Sequence, residues 1–316
     1  MHSLLDPAIL FFIFGILAGL LKSNLEIPPA IARFLSLYLL MALGLKGGFS
    51  LAQSGLTWEV GAGLTAAVLL AVLIPWMGYA VLKRFLPGWD AAAIAATYGS
   101  VSAVTFVTAV QFLETQKIAY GGHMAAAMAL MESPAIILAV VFANMLRQSG
   151  TAGTPIKKIL HESFTDGAQL LLLGAMVVGL LTGESGKAAM QPFSGDLFKG
   201  MLSFFLLDMG LMAAKSLPHL KAQSPFLLAY ALLGPLSHAG IALGLAGLLG
   251  LPQGDATLLM VLSASASYIA VPAVLRYAIP EAQPSIYIGL SLGITFPFNI
   301  LVGIPLYTHM AQGWLS

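Results

Sequence analysis

Two short polar runs hold the residues of this chain best suited to binding chemistry. One is Tyr98-Gly99-Ser100-Val101-Ser102-Ala103-Val104-Thr105; the other is Ser263-Ala264-Ser265-Ala266-Ser267-Tyr268-Ile269-Ala270-Val271-Pro272. Each interrupts a long apolar stretch. In hydrocarbon a backbone leaves the helix only where protein or a watery cavity satisfies its N–H and C=O groups, so paired interruptions imply a lined cavity. Where a helix restarts after a break, its first N–H groups have no intrahelical acceptor, and the dipole places about half a positive charge there. Two restarts aimed at one point make an anion site. Pro272 suits the first turn of the second restart, where a missing N–H costs nothing. The hydroxyls of both runs can donate to an anion or offer lone pairs to a small cation. Candidate anion contacts are Gly99, Ser100, Val101, Ser102, Ala103 and Thr105, with Ser265, Ala266, Ser267 and Tyr268 opposite. Small residues also serve close helix packing, with serines bonding back to the i−4 carbonyl; recurrence of the pattern in inverted form favours a site.

Few charges lie deep in the apolar stretches. Glu132, beside Pro134, and Asp208 are each near the middle of one, where an ionisable group is costly and by default functional, as a cation ligand or proton carrier. A neutral, hydrogen-bonded carboxylic acid is the alternative. Candidate cation ligands, for sodium as coupling ion, are Ser100, Ser102, Glu132, Asp208, Ser263, Ser267 and Thr295. Asn299, across Pro297 from Thr295, is a further oxygen donor, and His238 reads more readily as a structural partner. No H-E-x-x-H is present and no hydrolase is expected, and the absence of cysteine removes thiolate chemistry and disulfides. No cofactor is implied beyond the coupling ion.

Positioning these groups requires a helical membrane protein. Apolar residues make up 59% of the chain and charged ones 9%, far from the balance of a soluble domain. The net charge of +1 gives no reason to invoke nucleic acid. At roughly 20 residues per span, about ten transmembrane helices fit the 316 residues. The second is expected at about Pro28 to Leu45, closed by Lys46-Gly47-Gly48; Asp90 opens the fourth and Asp255 the ninth. Aligning Asp90 with Asp255 carries Ser100 to Ser265 and Ser102 to Ser267. Gly15 then resembles Gly174, Gly44 resembles Gly210, and Pro134 falls opposite Pro297. The expected organisation is a first five-helix repeat at 1–146, a cytoplasmic linker at 147–164 and a second repeat at 165–316. Five is odd, so the repeats are inverted and the two broken helices cross. Ten of the 14 Lys and Arg residues fall on one set of loops, among them Lys83, Arg84, Lys157 and Lys158. The positive-inside rule makes that face cytoplasmic and puts both termini outside.

The run Gly99 to Thr105 followed by Glu114-Thr115-Gln116-Lys117-Ile118 resembles a signature of the sodium-dependent bicarbonate transporters known from cyanobacteria. So does Ser263 to Ser267 followed by Pro272, Leu275-Arg276, Ile279-Pro280 and Pro284-Ser285-Ile286-Tyr287-Ile288-Gly289. The resemblance implies sodium-coupled bicarbonate uptake across a bacterial plasma membrane, core and gate domains each built from both repeats, a homotrimer in lipid, and inhibition by a PII-like regulator. Another small monovalent anion, or proton coupling, is the alternative. Three departures stand out. Tyr268 occupies the position of an aspartate in the family's second signature, Asp208 stands where the family is apolar, and Glu132 stands where it has aspartate. Asp208 is therefore expected to replace the lost charge. The central loop is short for the family, which bears on the regulator.

Overall fold

The computed structural model describes residues 5–146, 167–220 and 223–315, and they form helices without strands. In order these are α1 (Pro7–Leu20), α2 (Pro29–Ser54), α3 (Trp58–Leu82), α4 (Gly88–Gly99), α5 (Ala103–Thr115), α6 (Met124–Leu146), α7 (Gly167–Met190), α8 (Phe198–Leu220), α9 (Pro225–Leu249), α10 (Gln253–Ala264) and α11 (Ala270–Ala278). A last helical rod, α12 (284–315), contains wide π-type turns at Ser291–Thr295 and Asn299–Gly303, on either side of Pro297. The expected linker at 147–164, with Lys157 and Lys158, lies outside the described residues.

Local chemistry sets many of the ends. Asp6 accepts the Ala8 N–H at 2.9 Å to start α1, and Ser224 accepts the Leu227 N–H at 3.3 Å to start α9, each followed by a proline at the first helical position. Gly250, with φ +67°, ends α9 in the left-handed conformation that glycine adopts without penalty. The expected stop at Lys46-Gly47-Gly48 is not one. The helix continues to Ser54, because these glycines serve packing: a Cβ on Gly48 would collide with the Met176 carbonyl oxygen of α7, and one on Gly47 would crowd the Gly122 carbonyl. In a membrane, where helices gain no hydrophobic drive from each other, such close backbone approach supplies the attraction.

Glycines join the helices in two pairs. In the first, α1 meets α8: a Cβ on Gly15 would strike the Leu207 carbonyl and sit 3.1 Å from the Gly210 Cα and the Leu211 N. In the second, α7 meets α2: a Cβ on Gly179 would strike the Leu45 carbonyl and sit 3.1 Å from the Gly48 Cα and the Phe49 N. The two arrangements match atom for atom. Gly174, which the sequence sets against Gly15, faces open space.

The broken helices α4–α5 and α10–α11 thread the remaining bundle. Every residue from Asp90 to Ser102 is buried, as is every residue from Gly254 to Tyr268. Bands of Leu, Val and Phe face outward on α1, α3 and α9, including Phe14, Leu69 and Leu233. With Pro29–Ser54, Trp58–Leu82 and Pro225–Leu249 among the helices long and apolar enough to cross a bilayer, this is a multi-pass membrane architecture.

Candidate functional site

The breaks lie at residues 100–102 and 265–269, and they touch. The Ser102 N–H donates to Ser265 Oγ at 3.0 Å, and the Ser267 N–H donates to the Thr97 carbonyl at 2.8 Å. Each break thus satisfies a backbone group of the other, which lets the chain leave the helix without water at that depth. Further side chains cap the carbonyl end of α10. Asn299 Nδ2 donates to the Ala264 carbonyl at 2.8 Å and is held by the Tyr307 hydroxyl at 3.0 Å, while Ser265 Oγ donates to the Leu262 carbonyl at 2.8 Å.

On the restarting side, Ser102 caps α5 by accepting the Thr105 N–H at 3.2 Å and the Thr105 hydroxyl at 2.9 Å. Ser267 Oγ accepts the Val271 N–H at 3.2 Å in the first turn of α11. The next groups, Ala103 and Val104 on α5 and Ala270 on α11, all face one cavity of about 390 Å³. Helix geometry gives their N–H groups no intrahelical acceptor. Two positive helix ends therefore meet at a space whose wall, among the described residues, contains Glu132 but no Lys, Arg or His. Fixed N–H dipoles and hydroxyls of such a wall can replace the water of a small, singly charged anion, whereas a multiply charged one would lack counter-charge.

Of the ten candidate anion contacts, Val101, Ser102, Ala103, Ser267 and Tyr268 line this cavity. The others lie behind it. Gly99 packs on the Pro75 ring, where a Cβ would stand 2.5 Å from a ring carbon, so it admits α4 against α3. Thr105 is buried against the Ser102 hydroxyl, Ser265 ties the breaks together, Ser100 is 3.5 Å from the Glu132 carbonyl, and Ala266 is buried in the apolar core around Tyr98.

The cation candidates do not form one cluster. Ser102, Ser267 and Glu132 line the cavity, with Glu132 Oε2 accepting from Gln169 Nε2 at 2.7 Å. Thr295 lies apart, its hydroxyl 2.7 Å from both the Tyr98 hydroxyl and the Ala231 carbonyl. The Ser263 hydroxyl is buried with no hydrogen-bond partner among the described residues. His238 bonds the Ser263 carbonyl, which places it against α10. Asp208 is buried on α8 beside Met209, whose Sδ lies 3.4 Å from the Tyr268 hydroxyl. Both Tyr268 and Ser102 line the cavity, and Tyr268 lies within electrostatic reach of the Asp208 carboxyl.

Sequence reasoning missed Gln169 and Ser36, both in the cavity wall. Gln169 carried a signal, as a polar residue in the first turn of an apolar helix. Ser36 carried none. The loop anchors were missed as well. Asp255 at the start of α10 accepts the Gly121 N–H at 2.5 Å, and Asp90 at the start of α4 accepts the Gln283 N–H at 2.8 Å. Each broken helix so pins the loop that precedes a helix of the other half.

No curated protein matches the chain. A family model, described as the Na+-dependent bicarbonate transporter superfamily, matches residues 7–312, nearly the whole length. The chain belongs to that superfamily, and the protein is accordingly a transporter and not an enzyme.

Proposed function

We propose that the protein is a secondary active transporter that takes up bicarbonate with sodium by alternating access, holding the anion at the N-termini of α5 and α11. The observation that carries this reading is the meeting of two helix restarts at one cavity of about 390 Å³ with no basic side chain among the described residues of its wall. Bicarbonate is small, planar and singly charged, and it accepts and donates hydrogen bonds, as that wall requires.

Two inverted five-helix repeats organise the machine. Support comes from the matched contacts of Gly15 with Gly210 and Gly179 with Gly48, and from the exchanged loop anchors Asp90 and Asp255. The glycine-paired helices α1, α2, α7 and α8 form the gate, and the rest form the core. The cavity lies between them. Its walls include Ser36 near the start of α2 and Ala168 near the start of α7, the face that the basic residues make cytoplasmic, so this conformation is open inward.

Asp208 supplies the negative charge for the coupling cation next to Tyr268. Because Tyr268 fills the place of the family's carboxylate, a second reading is that Asp208 carries a proton in place of sodium. Uptake of labelled bicarbonate into proteoliposomes under sodium, potassium or proton gradients separates the readings. Flux that needs sodium supports the first and flux that follows protons the second. The absence of bicarbonate flux under every gradient refutes the substrate.

A further inference from the structure

We infer that a second, smaller cavity between α1, α5, α8 and α12 is the outward mouth of the anion path, shut in this conformation by the ion pair of Lys46 with Glu114. The inference rests on the alternating-access reading above.

The argument starts from pairings fixed elsewhere in the molecule: Gly15 with Gly179, Gly48 with Gly210, and Asp90 with Asp255. Seven residues before the first pair stand Ala8 and Leu172. Eight residues before the second stand Leu40 and Leu202, and 18 residues after the third stand Thr108 and Ala273. Leu172, Leu40 and Ala273 all line the large cavity. Ala8, Leu202 and Thr108 all line the small one, whose volume is about 90 Å³. Three pairings, the first two read from one match of glycine contacts, thus carry residues of one cavity wall onto the other. An inverted repeat requires this of the two mouths of one path, and unequal volumes are what a path open on one side only would show.

The lining chemistry suits the same passenger. Along α5 the small cavity presents Thr108, Gln111, Thr115 and Gln116, neutral groups able to hydrogen-bond a hydrated monovalent anion. Asp6 also borders it, but its carboxylate is held by Lys199 Nζ at 2.7 Å.

The seal lies in the seam between gate and core next to this cavity: Glu114 directly precedes Thr115 and Gln116 of its wall, while Lys46 and Glu114 themselves line a separate cavity with Ser50, Gln53 and Tyr120. Lys46 Nζ on α2 contacts both carboxylate oxygens of Glu114 on α5, at 3.0 and 3.1 Å, and rests 3.9 Å from the centre of the Phe198 ring. The Tyr120 hydroxyl donates to Glu114 at 3.0 Å. Lys46 stands six residues beyond Leu40, roughly 9 Å further along α2 from the open cavity. Opening the outer seam must part this pair, and closing the inner one must bring the walls around Leu40 and Leu172 together.

The chain has no cysteine, so single cysteines report each mouth without background. Gln111→Cys and Ala273→Cys would be labelled in proteoliposomes with a membrane-impermeant maleimide, with and without Lys46→Met. The expected result is about fivefold faster labelling at Gln111→Cys and slower labelling at Ala273→Cys when Lys46 is replaced. The double exchange Lys46→Glu with Glu114→Lys should restore both rates. Reciprocal change at Ala273→Cys with none at Gln111→Cys would place the outer mouth elsewhere and overturn the inference while leaving alternating access standing. Unchanged rates at both positions would overturn the seal. Rapid labelling of each from its own side, indifferent to sodium, bicarbonate and Lys46, would indicate a continuous pore and sink the alternating-access reading itself.

Discussion

The backbone N–H of Ser102 points at the hydroxyl of Ser265, 3.0 Å away, so that the break in one rod is capped by a side chain from the break in the other. The Ser102 hydroxyl is in turn the cap of α5. One residue therefore joins the two breaks, starts the helix whose N-terminus faces the cavity, and lines that cavity. Ser102→Ala keeps the first function and loses the second. An N-cap is worth about 1 kcal/mol, so binding should weaken roughly fivefold with the fold preserved. Ser102→Thr retains the hydroxyl and should stay within about threefold of the parent. Concentration dependence of bicarbonate uptake reads both. Equal uptake by the alanine and threonine variants would remove Ser102 from the site.

Asp208 and Tyr268 offer a sharper test of coupling. Asp208→Asn keeps size and hydrogen bonding and removes the charge, so it should abolish the dependence of uptake on sodium while expression and monodispersity persist. Adding Tyr268→Asp returns a carboxylate to the family position, and sodium dependence should partly return. Unaltered sodium dependence in Asp208→Asn would show that the charge plays no part in coupling.

The all-helical membrane architecture and both breaks were legible in the sequence because their signals are local. Ser, Gly and Pro clusters inside apolar runs mark the breaks at 100–102 and 265–269, and Pro225 with Gly250 marks both ends of α9. Which polar residues reach the cavity was not legible. Ser265 and Thr105 have the same type and spacing as Ser267 and Ser102, yet they turn to neighbouring backbone and hydroxyl groups, a choice made by the crossing rod. Asp208 was visible as a buried charge, but its nearness to Tyr268 depends on packing between α8 and α11 that no local pattern encodes.

A pH effect on stability should arise outside the membrane segments, at His123 in the loop before α6. Burial pushes its imidazole below the ordinary range, against the opposing pull of the Asp255 carboxylate 3.6 Å away. With the folded value lowered, the unfolded chain binds more protons as pH falls through about 6.5. Stability is then fully present above that value and declines below it. Thermal unfolding in detergent at pH 7.5 and 5.5 should show a lower midpoint at the acid pH, and His123→Gln should reduce the difference. An unchanged difference in His123→Gln would assign the acid sensitivity to other groups.

The glycine contacts yield a prediction that separates structural register from sequence likeness. The sequence pairs Gly15 with Gly174, whereas the contacts pair Gly15 with Gly179. A side chain at Gly179 must push against the Leu45 carbonyl and the Gly48 backbone, which cannot yield without separating α2 from α7. A side chain at Gly174 meets nothing within 4 Å. Overpacking of a tight interface costs about 1–3 kcal/mol, enough to lower the unfolding midpoint by several degrees in a chain of this size. Gly179→Val should therefore lower the midpoint or abolish folding, and Gly15→Val should do the same at the matching contact. Gly174→Val should leave the midpoint within about a degree of the parent. Because Gly174 and Gly179 share one helix, a general intolerance of β-branched residues there would depress both α7 variants alike. A large loss in Gly174→Val with none in Gly179→Val would reverse the assigned register, and with it the pairing of Ala8 with Leu172.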